Sequence, residues 1–159
     1  MQQIEILAVG KLGAGWMREA ADDYRKRISP YFKLTLTELS EGRLPLNPSP
    51  ALIDKALETE AGDFRKKFTS RAMTAALCIE GDGVSSTGLA KLIACAAGES
   101  KTLTFLIGSS HGLSGQLKKE ADLRISMSAM TFPHQIARLL LLEQIYRAGQ
   151  ILGGGKYHK

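Results

Sequence analysis

Cysteine is scarce in this chain. Only Cys78 and Cys95 occur, far apart and with no C-x-x-C or Cys/His pairing, which argues against a zinc site or a dithiol redox motif. Long apolar runs are missing too. The longest-looking one, "LLLL" at 139–142, is closed off by Arg138 and Glu143 and is far too short to span a membrane. The opening "MQQIEILAVGK" carries Glu5 inside its apolar run and has neither a basic leader nor a small-residue cleavage site, so it does not read as a signal peptide. No low-complexity segment or internal repeat is present, and three of the five prolines fall in one stretch, "SEGRLPLNPSP". The nucleotide-binding fingerprints are absent as well. "GKLGAG" at 10–15 is spaced G-x-x-G-x-G rather than G-x-G-x-x-G, and no glycine-rich run leads into Lys-Ser or Lys-Thr. These absences leave a reduced, cytoplasmic, metal-free single domain over residues 1–159 as the expectation.

The 159 residues suffice to bury a core, and 44% hydrophobic against 23% charged residues is ordinary for a globular protein. A formal charge of +5 favours a polyanionic partner without deciding on one. Short β-rich runs alternate with helical patterns. "IEILAVG" (4–10), "TAALCIE" (74–80), "LTFLIG" (103–108) and "LRISMS" (123–128) read as strands, and "KLTLTEL" (33–39) as a strand exposed on one side. Trp16, Ala20, Tyr24 and Ile28 predict one face of a helix that Pro30 ends. Ser49 followed by Pro50 opens a second helix with Ile53, Leu57, Ala61, Phe64 and Phe68 inside, and Ser85 or Ser86 caps a third. Thr131 is the expected cap of a last helix running to about Gln150, whose apolar residues cover more than one face and so call for a second layer or a partner subunit. This alternation predicts an α/β fold with a largely parallel sheet flanked by helices on both faces.

In such sheets ligands sit beyond the carboxyl ends of the strands. Three loops there have binding composition: "IEGDGVSS", "IGSSHGLSG" and "SMSAMTFPHQ". Gly81 and Gly83 read equally well as plain turn residues. "GSSHG" (108–112) matches the G-x-S-x-G elbow of a serine hydrolase, with Ser110 as nucleophile and Asp122 or Glu143 and then His158 in the required order, but the match is short and the chain is small for that fold. From spacing alone, His134 is a first-turn polar residue and Arg138 and Arg147 are solvated charges.

Four segments together narrow the choice. "ILAVGK", "IGSSHGL", "ISMSAMTFPHQIARLLLLEQIYRA" in all but its first residue, and the terminal "YHK" resemble the RlmH family of bacterial SPOUT-class methyltransferases, over essentially the whole chain. The resemblance implies a homodimer with a C-terminal trefoil knot. It also implies transfer of a methyl group from S-adenosylmethionine (SAM) to N3 of a pseudouridine in 23S ribosomal RNA on the ribosome. The implied cofactor contacts are Leu77, Gly108 and the run Met127, Ser128, Ala129, Met130, Thr131, Phe132. Two positions depart from the family pattern: Ser109 stands where a second glycine is usual, and His111 where Asn or Glu is common. For catalysis the expectation is Arg138 as a cation favouring the N3 anion, His158 as proton acceptor and Tyr157 stacking on the base. A base paired through N3 is inaccessible, so a loop or flipped nucleotide is the expected substrate. The serine hydrolase and a non-catalytic RNA-binding module are the competing classes.

Overall fold

A computed structural model describes residues 1–156. Its elements are β1 (Gln3–Val9), α1 (Gly15–Ile28), β2 (Lys33–Leu39), α2 (Pro50–Arg65), β3 (Ala72–Gly83), α3 (Ser86–Gly98), β4 (Thr102–Ile107), α4 (Gly115–Glu120), β5 (Leu123–Ser126) and α5 (His134–Leu152). The strands form one sheet in the order β2-β1-β4-β3-β5, and every pairing is parallel.

The apolar runs explain which strands lie in the middle. Along β1, Ile4, Ile6 and Ala8 enter the core beneath α1, α3 and α5, while Leu7 and Val9 enter a second core with Ala61 and Phe64 of α2 and Leu117 of α4. A strand buried on both faces has no polar side, which is why "IEILAV" and "LTFLI" read as nearly continuous runs. The alternating β2 lies at an edge, as its half-exposed pattern demands.

Three local expectations are corrected and one short helix is added. The buried face of α1 runs through Met17, Ala21, Tyr24 and Ile28, and Trp16 is 58% exposed, because the helix starts one residue before Trp16 and rotates it off the sheet. Thr131 caps nothing: α5 begins at His134 after Pro133, with no side-chain cap. The short α4, capped by Ser114 accepting from the Leu117 N–H, gave no periodic signal because it buries one side chain. Gly81 and Gly83 are strand residues, not turn residues. The β3 register slips so that Leu77 and Asp82 both pair with Ile125, pushing out the residues between, and a Cβ on Gly81 would lie 2.7 Å from the Ile125 nitrogen.

Candidate functional site

The carboxyl ends of β3, β4 and β5 enclose a cavity of about 640 Å³, inside the usual range for small-molecule sites. The three loops singled out by composition all contribute. Leu77, Gly108, Met127, Ser128, Met130, Thr131 and Phe132 line it, whereas Ala129 does not. Three features position these groups. The bulge in β3 carries Leu77, Cys78 and Ile79 into the wall. The segment after β5 braces itself: Ser126 Oγ donates to the Ser128 carbonyl at 2.9 Å, and the Met130 N–H donates to Ser128 Oγ at 3.0 Å. After β4 the chain turns back at once, with the Gly112 N–H donating to the Ser109 carbonyl at 2.8 Å.

Gly108 is required by that turn itself. A Cβ there would lie 2.2 Å from the Gly112 oxygen and 2.9 Å from the Leu113 nitrogen, so the glycine admits its own neighbouring backbone as well as any ligand. The unusual Ser109 is buried at 6% exposure and fits without disrupting the turn. Beside it Glu60 is nearly buried, receives the Gly42 N–H at 2.9 Å, and so ties the proline-rich loop to α2. Burial pushes the Glu60 carboxyl above its ordinary value, against the opposing hydrogen bonds from Gly42 and Ser109.

Arg138 is interior rather than solvated. It is 1% exposed, donates from Nη1 to Glu38 at 3.1 Å and from Nη2 to the Gly10 carbonyl at 2.9 Å, and its Nε has no partner among the described residues. Burial lowers this guanidinium below its ordinary value, and Glu38 opposes the shift. Glu38 lies a hundred residues away in sequence, so no local pattern could have paired them. Arg147 is bonded to Glu143 at 2.7 Å. Tyr157 and His158 lie outside the described residues.

The hydrolase constellation does not assemble from the described residues. Ser110 sits in an exposed turn past the end of β4, while Asp122 accepts from the N–H and hydroxyl of Thr74 near the opposite, amino end of the sheet. Glu143 is committed to Gln144 and Arg147. Among the described residues no group of His, Cys, Asp or Glu is placed to hold a metal ion, and no helix is long and apolar enough to cross a membrane.

A wholly parallel α/β sheet with a self-braced cavity at its carboxyl edge has the arrangement in which open α/β domains bind ligands. Residues 2–158 match the family described as "Predicted SPOUT methyltransferase", and the chain belongs to that family. It is 42% identical to the ribosomal RNA large subunit methyltransferase H of Carboxydothermus hydrogenoformans over 99% of both chains. It is 41% identical to the protein of the same name from Clostridioides difficile, over 98% of this chain and 99% of the relative. A "putative" ribosomal RNA large subunit methyltransferase H of Methanococcus maripaludis is also 41% identical, over 98% of this chain and 99% of its own length.

Proposed function

We propose that the chain is a cytoplasmic, SAM-dependent methyltransferase that modifies N3 of a pseudouridine in 23S ribosomal RNA on the assembled ribosome. The observation that carries this reading is the cavity: seven of the eight residues the family resemblance implies for the cofactor line it, brought together from β3 and the segments after β4 and β5. Its chemistry suits the group. Leu77, Ile107 and Phe132 offer apolar walls for an adenine, and main-chain groups around Ser128 and Thr131 offer hydrogen bonds to its edge. When bound, SAM supplies a methyl group made electrophilic by its sulfonium. The protein's share is to hold the target nitrogen in line, keep water out and assist loss of the N3 proton.

In this reading Arg138 contributes positive potential from behind the wall rather than by contact, because it is buried outside the cavity lining with Nη1 on Glu38 and Nη2 on the Gly10 carbonyl. Tyr157 and His158 are assigned to the RNA base rather than to the cofactor. A homodimer is supported by an apolar groove of about 350 Å³ beside α5, lined by Val84, Leu89, Phe132 and the 36%-exposed Leu140, which a second copy would cover. The trefoil knot of the family belongs to the same proposal. The test is transfer of radiolabelled methyl groups to ribosomes lacking the modification, with the product mapped to a single nucleotide. Calorimetry with SAM separates this reading from a non-catalytic RNA-binding module, which would bind ribosomes without the cofactor.

A further inference from the structure

Methylating an imide nitrogen at neutral pH requires somewhere for its proton to go, and efficient acceptors are side chains that titrate near neutrality. Among the described residues lining the cavity, two carry a titratable side chain, Cys78 and His134. The Cys78 thiol is pushed up by burial and by the charge of Glu80, and it lies 3.8 Å from the Ala76 carbonyl oxygen, so it stays a thiol. His134 is half-buried at the first position of α5, and neither ring nitrogen has a hydrogen-bond partner among the described residues. An imidazole on a cavity wall with both nitrogens unspent is equipped to serve a ligand.

The loop beside it is fixed. A side chain begun at Gly10 would meet His134 Nε2 at 3.9 Å and Glu41 Oε2 at 3.5 Å, so the ring lies against the end of β1 with the Glu41 carboxylate nearby. The loop it rests on is clamped from two helices. Arg138, one turn along α5, holds the Gly10 carbonyl; Gln135 Oε1 accepts the Gly13 N–H at 2.9 Å; and Arg18 of α1 donates to the carbonyls of Leu12 and Gly13 at 3.0 and 2.9 Å. These bonds fix the loop that the imidazole lies against, so one wall of the space open to the ring is set by the fold.

Resting on the function proposed above, we infer that His134 takes the N3 proton of the target base, with Arg138 and Gln135 acting as positioning residues that hold its platform. The proton passes from N3 to an imidazole nitrogen, the N3 electron pair forms the new bond to the donor methyl carbon, and the carbon–sulfur pair returns to sulfur. The imidazolium then gives its proton to water. The charged groups around the ring are Glu41 in the loop after β2 and, one turn further along α5, Arg138 with its partner Glu38 from β2.

The test compares His134→Gln, His134→Ala and His158→Gln. His134→Gln should bind SAM within about threefold of the wild type while single-turnover transfer falls by about a hundredfold or more, the scale of a lost general base. Added imidazole should restore part of the rate to His134→Ala and none to His158→Gln. Independently of any variant, the His134 ring signal in a ¹⁵N NMR spectrum of the wild-type chain should shift on adding a pseudouridine-containing stem-loop RNA. Wild-type transfer by His134→Gln, SAM affinity lost in step with rate, or a ring signal blind to the RNA would each overturn the assignment. An intact chain that transfers nothing would overturn the proposed function as well.

Discussion

Replacing Gly108 with alanine adds one methyl group at the place where the cavity turn is tightest. The three nearest atoms to that methyl are all main chain: the Gly112 oxygen at 2.2 Å, the Gly112 carbonyl carbon at 2.3 Å and the Leu113 nitrogen at 2.9 Å. No side-chain rotation relieves such contacts. Non-bonded heavy atoms settle at roughly 3.5 Å or beyond, so residues 109–113 must retreat by about an ångström, taking part of the cavity wall with them. Overpacking of this kind costs about 1–3 kcal/mol. If the cost falls on the cofactor-competent form of the turn, SAM affinity weakens by about 5- to 150-fold, since about 1.4 kcal/mol is a factor of ten. Calorimetric titration of SAM measures it, with His111→Ala, exposed in the same turn and outside the cavity lining, as the control expected within about threefold. Urea unfolding of both variants reports whether the domain stays folded. A folded Gly108→Ala protein with wild-type affinity would refute the placement of the cofactor against this turn.

Arg138→Met should cost about 1.5–3 kcal/mol in urea unfolding, because it strips the Gly10 carbonyl and Glu38 of a charged donor; the partial exposure of Glu38 keeps the loss below that of a fully buried pair, and a change under about 0.5 kcal/mol would contradict the geometry. Glu60→Gln tests the raised carboxyl. A folded-state value above the unfolded one makes the native form bind the extra proton, so wild-type stability falls as pH rises from the ordinary carboxylate range through the raised value, and the variant should gain on the wild type over that rise. Equal pH dependence of the two in urea titrations would remove Glu60 as the source. Deleting Tyr157 to Lys159 should leave SAM binding intact while methyl transfer drops about a hundredfold or more; full activity in the ribosome assay would make the tail dispensable. Leu140→Glu places a charge in the apolar groove beside α5 and should shift light-scattering mass from dimer to monomer at micromolar concentration, whereas an unchanged mass moves the interface elsewhere.

Much of this protein is written along the chain because the relevant physics is local. Buried parallel strands need apolar side chains on both faces, so β1 and β4 were legible as uninterrupted runs, and Ser49 and Ser85 announced the starts of α2 and α3 through a short-range bond to an N–H three residues on. Binding composition at the three strand ends was legible too, since glycine and serine gather where loops must turn tightly. What the chain could not show by itself depends on which strands become neighbours. Placing β3 between β4 and β5 is what brings Leu77, Gly108 and Met127 to one cavity, and the slipped register that thrusts Leu77 and Ile79 into its wall exists only against Ile125. Arg138 read as a solvated charge until the ends of β1 and β2 supplied Gly10 and Glu38 to receive it. Trp16 read as core until its helix was docked with Ala21 inward. Periodicity reports that a helix has an apolar side; only packing chooses its rotation, and only the meeting of distant loops turns a first-turn histidine into a group facing a cavity.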